Sequence, residues 1–212
     1  GDWSSDVCSS DLANHNPDKG EGDWAIRRSA AWRAYMEWMP IREQAPTGIR
    51  LYRSFRYGSL ADLVMLDTRS VRDRQVAADD IAGLNDATRR IMDATQENWF
   101  YQTLRSSQAA GIPWRLVGQQ VLFSRMVPVG RAVQFTDVWD GYQAARDRVF
   151  DFLQRERAKN VVIFTGDLHS SWAIDVTRNP WAGYRPDTGE GSLAVELVTP
   201  AVSSPGLMPE AQ

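Results

Sequence analysis

The chain has 212 residues, of which 43% are hydrophobic and 24% charged, as expected for a folded domain with a sizeable core. Its 24 Lys and Arg residues against 27 Asp and Glu give a formal charge of -3, so overall charge is no argument for binding nucleic acid or an anionic membrane. The single cysteine, Cys8, excludes an internal disulfide and a thiolate metal site.

The N-terminal segment GDWSSDVCSSDL is rich in serine and has neither helical nor strand periodicity. It resembles a translated cloning or adapter sequence, so we predict that residues 1–12 are a non-native leader and that residues 13–212 hold the folded domain. His15 follows in a polar stretch with Pro and Gly, which favours a solvated loop over a metal ligand.

Alternating helices and strands are predicted over the rest of the chain. Asp23 is a candidate N-cap for a helix from about residue 24 to 43, whose broad apolar stripe predicts that other elements cover it. Residues 50–57 and 60–66 are predicted to form an antiparallel hairpin, and residues 86–104 a helix. A strand over residues 114–124 and a helix over about residues 139–158 follow, the helix with a buried stripe of Tyr142, Ala145, Val149, Phe152 and Leu153.

Three further strands are predicted after that helix. The apolar run VVIFT, residues 161–165, is typical of a central strand buried on both faces. The segments SWAIDV and SLAVELV alternate apolar and polar residues and favour strands of the same or a facing sheet. The pattern as a whole predicts an α/β fold with at least two strand-rich layers.

The segment GDLH, residues 166–169, directly follows the VVIFT strand. Residues two apart in extended backbone point the same way, so Asp167 and His169 can project together from the carboxyl end of the strand, where open α/β sheets place their sites. A carboxylate and an imidazole are natural ligands for Zn, Fe or Mn. The alternative is structural, with Asp167 capping a turn and His169 hydrogen-bonded within it.

A second polar strand end is LDTR, residues 66–69. The guanidinium fork of Arg69 suits phosphate oxygens, so Asp67 and Arg69 are candidates for phosphate contact or for support of the site. The alternative is a surface ion-pair network, because charge clusters such as the following RDR are usually solvated.

Other catalytic schemes lack their residues. The sequence contains no G-x-S-x-G elbow, no Walker A motif and no G-x-G-x-x-G, and Ser170 and Ser171 have only His169 as a nearby candidate base. The nine tryptophans are expected mainly to pack in the core and at its rim, with an aromatic-lined cleft as the alternative. No stretch approaches the roughly 18 apolar residues of a membrane span.

Six blocks of this sequence resemble the PhoD-like alkaline phosphatases in order and spacing, from about Asn14 to Gly206. They are GDWAIRRSAAWRAYMEWMPIRE, LYRSFRYGSLADLVMLDTRSVRDRQ, WRLVGQQVLFS, WDGYQAARDRVFDFL, NVVIFTGDLHSSWAIDV and LAVELVTPAVSSPG. The resemblance implies the calcineurin-like metallophosphatase α/β/β/α sandwich. It also implies hydrolysis of phosphate monoesters, and often diesters, at a site with iron and calcium or comparable metal ions.

The resemblance assigns roles to the matching positions of this chain. It makes Asp167 and His169 metal ligands, and Asp67 and Arg69 phosphate contacts or supporting residues. The WDGY block is expected to be a structural marker in which Asp140 caps the helix. Where related phosphatases carry a GNH signature this chain has Gly118-Gln119-Gln120, so no metal bond is assigned to Gln119.

The chain also departs from the family. A Trp-Asp-Asp-His-Glu-type block and the strands that carry further metal ligands are not found, and Asp6, Cys8 and Asp11 are not taken as replacements. We therefore expect an internal fragment of the sandwich, incomplete at both ends, with weak or no activity by itself. The competing interpretations are a non-catalytic binding module or non-functional fragment of this fold, and a phosphodiesterase on the same scaffold.

The expected partner is a small-molecule phosphate ester, with no nucleic-acid-specific site and no membrane span, and the sequence leaves the oligomeric state open. The family resemblance implies a periplasmic or secreted parent protein. Arg27 and Arg28 fall inside a predicted helix and are not interpreted as a twin-arginine export signal.

Overall fold

The described part of the chain is built around one six-stranded sheet. The computed structural model describes residues 23–42, 50–127, 133 and 135–202. The strands are β1 Arg53–Tyr57, β2 Ala61–Met65, β3 Trp114–Gln119, β4 Val161–Thr165, β5 Trp172–Thr177 and β6 Ser192–Val198. Their order in the sheet is β1-β2-β3-β4-β6-β5. The four inner strands are parallel, and β1 and β5 pair antiparallel at the edges.

Four α-helices accompany the sheet in the described residues: α1 Trp24–Trp38, α2 Ile81–Leu84, α3 Ala94–Ala109 and α4 Gln143–Arg155. Asp23 caps α1 as predicted, its side chain accepting the Ile26 N–H at 3.0 Å. The helix ends at Trp38, earlier than predicted, because Met39 precedes Pro40 and takes the extended backbone that a following proline favours.

The predicted start of the next long helix at residue 86 is wrong. Thr88 donates its N–H and its hydroxyl to the Asp86 carboxylate, and this local turn competes with helical bonding. The helix α3 begins instead at Ala94, where the Asp93 side chain accepts the Gln96 N–H at 2.7 Å. The sequence analysis did not predict the short helix α2.

The predicted hairpin is confirmed, with Tyr57 opposite Ala61 and Gly58 in the left-handed region at φ 55°. Behind β2, β3 and β4 lies one apolar core that also contains side chains of α3 and α4. All five apolar residues predicted for the buried face of α4 and its preceding turn are buried. Strand alternation places Val64, Val117 and Ile163 in this core.

The opposite face of the sheet is only partly covered. In β4, Val162 is half-buried and Phe164 is 37% exposed, so the prediction of a strand buried on both faces is wrong. The prediction of at least two strand-rich layers also fails for the described residues, because the segments SWAIDV and SLAVELV join the same sheet as β5 and β6. The reason is that β6 pairs with β4 and β5 pairs with β6, which extends the first sheet instead of starting a second one. Helices α3 and α4 contribute to a single core on one side of this sheet.

The tryptophans are more exposed than the sequence analysis expects. Among the described tryptophan side chains, Trp139 is fully buried, whereas Trp38, Trp114, Trp172 and Trp181 are all at least 43% exposed. The expectation that other elements cover α1 is wrong as well, since Ile26 and Trp38 point into solvent. The apolar stripe of α1 borders a cleft instead of the core.

The WDGY block forms a 3₁₀ turn, Trp139–Tyr142, that leads into α4. The predicted cap by Asp140 is wrong, because its carboxylate accepts hydrogen bonds from Arg146 at 2.5 Å and from the Met126 N–H at 3.1 Å. Glycine is required at position 141, where a Cβ would collide with the Thr136 carbonyl oxygen. None of the described helices is both long enough and apolar enough to cross a bilayer.

One ion pair on the sheet predicts a pH dependence of stability. Asp62 of β2 accepts hydrogen bonds from Arg56 Nε at 2.8 Å and Nη2 at 2.9 Å, and this bonding holds the pKa of Asp62 below its ordinary 3.8. The stabilisation by this ion pair is therefore fully present above the ordinary pKa of Asp62 and is lost as the pH falls through the lowered pKa of the folded state. We expect Asp62→Asn to lower the urea midpoint near pH 7 and the difference from wild type to shrink on acidification. A difference that stays constant from neutral to strongly acidic pH contradicts this.

Candidate active site

The carboxyl ends of β2, β3 and β4 meet at one edge of the sheet. Asp67 follows β2, Gln120 follows β3 and Asp167 follows β4. Because these strands are parallel and adjacent, the two polar strand ends predicted from the sequence come together. Arg69 and Asp167 are 98 positions apart in the chain, and Arg69 Nη2 donates to Asp167 Oδ1 at 2.8 Å.

Asp67 shapes the loop that carries Arg69. Its buried carboxylate accepts the N–H groups of Arg69 at 3.1 Å and Ser70 at 2.9 Å, together with the Ser70 hydroxyl. The side chain of Gln96 bonds both backbone groups of Asp67, at 2.7 and 2.9 Å. This bonding favours the supporting role for Asp67 over direct contact with phosphate.

Arg69 lies between two carboxylates. Its Nη1 is 3.8 Å from Asp137 Oδ2, which is too long for a hydrogen bond. The side chain is only 10% exposed, and among the described residues Nη1 has no hydrogen-bond partner. Leaving a buried N–H unpaired costs about 1–3 kcal/mol, so an acceptor oxygen from a bound ligand would stabilise this position.

Asp137 is a site residue that the sequence analysis missed. Its backbone carbonyl accepts a hydrogen bond from Arg72 Nη1 at 2.7 Å, which fixes the chain beside Arg69. Arg72 is fully buried, and burial first, then the charge of Arg69, lowers its pKa. A signal existed in the sequence, namely an aspartate two residues ahead of the WDGY block.

Burial raises the pKa of Asp167 above its ordinary 3.8, and the charge of Arg69 opposes this rise. The charge of His169 also acts to lower the pKa of Asp167, so the two side chains are within electrostatic reach of each other. The backbone is not extended here, since Asp167 has φ 70° and His169 φ 54°. The extended geometry assumed in the sequence argument is therefore wrong, although the pair does share one region.

The donor chemistry of Asp167 and His169 fits a borderline metal ion, and Arg69 binds Asp167 through Oδ1. Within the described ranges, no group of three or more His, Cys, Asp and Glu side chains could hold a metal ion. The described residues thus bring together too few such side chains at this edge to form a metal site by themselves. The side chain of Gln119 is buried and hydrogen-bonded to Trp139 at 3.1 Å and to Thr165 at 2.7 Å, and we assign it no metal bond.

A cleft of about 460 Å³ opens beside Arg69 and Asp167. Its polar side includes Ser70 and Gln120, and Gln120 is held by hydrogen bonds to Thr68 and to the Leu66 carbonyl. Helix α1 forms the facing wall. His15 and residues 1–12 lie outside the described residues, and the predictions made for them stay predictions.

The fold and this edge define an α/β protein with a buried arginine and a carboxylate–imidazole pair at the ends of parallel strands. The sequence profile of the PhoD-like phosphatases matches residues 2–212, and the chain belongs to this family. It is 37% identical over 185 residues to alkaline phosphatase D of Bacillus subtilis strain 168, a match that covers 82% of this chain and 31% of that protein.

A solved structure of PhoD is similar to the chain with a TM-score of 0.79 and 32% identity, over 93% of this chain and 38% of that chain. The chain therefore spans about a third of the length of these two relatives. The predicted family and the predicted α/β metallophosphatase fold class are confirmed.

Proposed function

We propose that the protein is a metal-dependent phosphoric ester hydrolase of the alkaline phosphatase D type, acting on phosphate monoesters and also on diesters. The observation that carries the proposal is the position of Arg69, which lines the cleft at the carboxyl ends of parallel strands and is hydrogen-bonded to Asp167. A phosphate oxygen is the acceptor that an arginine fork suits best. Membership of the PhoD-like phosphatase family supports the same chemistry.

In this proposal Asp167 and His169 hold part of a metal cluster, with iron and calcium as the candidates from the family resemblance. Metal ions in such hydrolases activate a water molecule and neutralise phosphate charge. Arg69 binds the phosphate and stabilises the negative charge that develops on its oxygens. Asp167 orients Arg69 through the 2.8 Å hydrogen bond, and Asp67 holds the backbone of the Arg69 loop.

We propose that the substrate is a small-molecule phosphate ester and that the parent protein is exported from the cytoplasm. Membership of the PhoD-like phosphatases supports the substrate, and similarity to alkaline phosphatase D supports export. The position of Arg27 and Arg28 within α1 agrees with their not being an export signal, and Arg28 Nη2 donates to the Ser70 carbonyl at 3.1 Å.

The test uses the complete reading frame that encodes these residues, expressed with iron and calcium and assayed on 4-nitrophenyl phosphate and bis(4-nitrophenyl) phosphate. Asp167→Ala and His169→Ala are expected to lose bound metal and hydrolysis together, because each removes a donor. The control is Asp187→Ala, which removes an exposed carboxylate paired with Arg185.

Retained metal and activity in both site variants would remove Asp167 and His169 from the metal site. Phosphate binding without hydrolysis would favour the non-catalytic binding module. The 212 residues assayed by themselves are expected to be weakly active or inactive, because within the described residues no three or more His, Cys, Asp and Glu side chains come together to hold a metal ion, and fast metal-dependent release of phosphate would contradict this.

A further inference from the structure

Helix α1 presents one face to the cleft. Arg28, Ala31, Trp32 and Tyr35 stand at i, i+3, i+4 and i+7, which places them on one side of a helix, and all four line the cleft. In contrast, Trp38 is 85% exposed and does not line it. Ala31, Trp32 and Tyr35 of the predicted apolar stripe therefore form a wall of the candidate site, whereas Trp38 of the same stripe does not.

The wall contains two aromatic rings set at a right angle. The ring centroids of Trp32 and Tyr35 are 6.1 Å apart with an interplanar angle of 89°. Leu51 lines the same cleft. A flat ring entering this corner can stack on one ring and meet the edge of the other, which are the two preferred geometries of aromatic pairs.

The polar side of the cleft carries charges of both signs. Arg69 lies there with the carboxylates of Asp67 and Asp167, and Arg28 reaches from α1 to the Ser70 carbonyl. The cleft volume of about 460 Å³ lies within the range that holds small organic ligands, so it exceeds what a phosphate group needs. One end of the cleft thus contains two arginines among its charged side chains, and the other end is apolar.

We propose that the substrate is a phosphate ester whose alcohol portion carries a flat apolar aromatic group, bound against Trp32 and Tyr35 while the phosphate contacts Arg69. This inference rests on the proposed function and names the substrate class of the same site. Trp32 and Tyr35 then act as specificity-determining residues that touch the leaving group rather than the phosphate.

The experiment compares the binding of phenylphosphonate and methylphosphonate, whose C–P bonds resist hydrolysis, to the protein expressed from its complete reading frame with iron and calcium, by titration calorimetry at one ionic strength. Phenylphosphonate is expected to bind about three- to tenfold more tightly, the contribution of one aromatic pair. Trp32→Ala is expected to abolish this ratio and to leave methylphosphonate binding unchanged. Trp38→Ala, in the same helix but outside the cleft, is expected to keep the ratio, and circular dichroism checks that α1 persists in both variants.

Equal affinities for the two phosphonates, or a ratio that survives Trp32→Ala, would overturn the substrate assignment while leaving the phosphate site intact. We expect Arg69→Ala, which leaves the wall of Trp32 and Tyr35 unchanged, to lose binding of both phosphonates. Failure of the wild-type chain to bind either phosphonate would instead contradict the phosphate site itself, and the substrate assignment with it.

Discussion

Replacing Arg69 with alanine is expected to lower kcat/KM for 4-nitrophenyl phosphate by about 10²- to 10³-fold in the protein expressed from its complete reading frame. The substitution removes a largely buried guanidinium group that lines the cleft and that Asp167 holds at 2.8 Å. It also leaves the raised-pKa carboxyl of Asp167 without its cationic neighbour. Steady-state kinetics on the monoester and the diester measure the effect.

Two further variants make this prediction specific. Arg69→Lys keeps the charge but loses the fork, so we expect it to recover only part of the rate. Arg33→Ala removes an exposed arginine of α1 that pairs with Glu37, and it is expected to leave kcat/KM unchanged. An Arg69→Ala protein within threefold of wild type would show that Arg69 does not act on the phosphate.

Replacing Arg146 with methionine is expected to reduce the free energy of unfolding by about 3–5 kcal/mol. Arg146 and Asp140 form an ion pair whose side chains are 0% and 3% exposed, and Arg146 also donates to the Phe123 carbonyl at 3.3 Å. Removing the cation leaves the Asp140 carboxylate buried without its partner. Urea unfolding of the 212-residue chain at neutral pH measures the loss.

The paired substitution Asp140→Leu with Arg146→Met is expected to regain much of that stability, because replacing both charges removes the desolvation penalty as well. The matched control is Arg185→Met, where the pair with Asp187 is exposed and the change is expected to stay within about 0.5 kcal/mol. If Arg146→Met costs no more than this control, the buried pair does not stabilise the fold.

Local patterns in the sequence predicted most elements of the sheet. The hairpin of β1 and β2, the strand β4 and the helix α4 were found because apolar periodicity and turn residues agreed. The start of α3 was missed because Asp86 and Thr88 form a turn within a sequence that also fits a helix. The cap at Asp140 was wrong because Arg146, one and a half turns later, binds that carboxylate in the core.

The candidate site was predictable in part for a different reason. Strand ends that carry Asp67, Arg69 and Asp167 are visible in one sequence, and parallel pairing brings them to one edge. The contribution of Asp137 depends on a loop path, and the wall of Trp32 and Tyr35 depends on how α1 docks across the cleft. Neither follows from periodicity, because a helical stripe has the same pattern whether it faces a core or a cleft.

The left-handed backbone at Asp167 and His169 has a consequence for how this segment can vary. Glycine adopts such a conformation without a clash from a Cβ, whereas most other L-residues lose roughly 1–2 kcal/mol at each position, and aspartate and histidine adopt it several times more often than the rest. Selection for stability alone would therefore favour glycine at both positions. In the proposed role of Asp167 and His169 as metal ligands, the loop after β4 gives up some stability for its chemistry, and stabilising substitutions in this protein are better sought away from it.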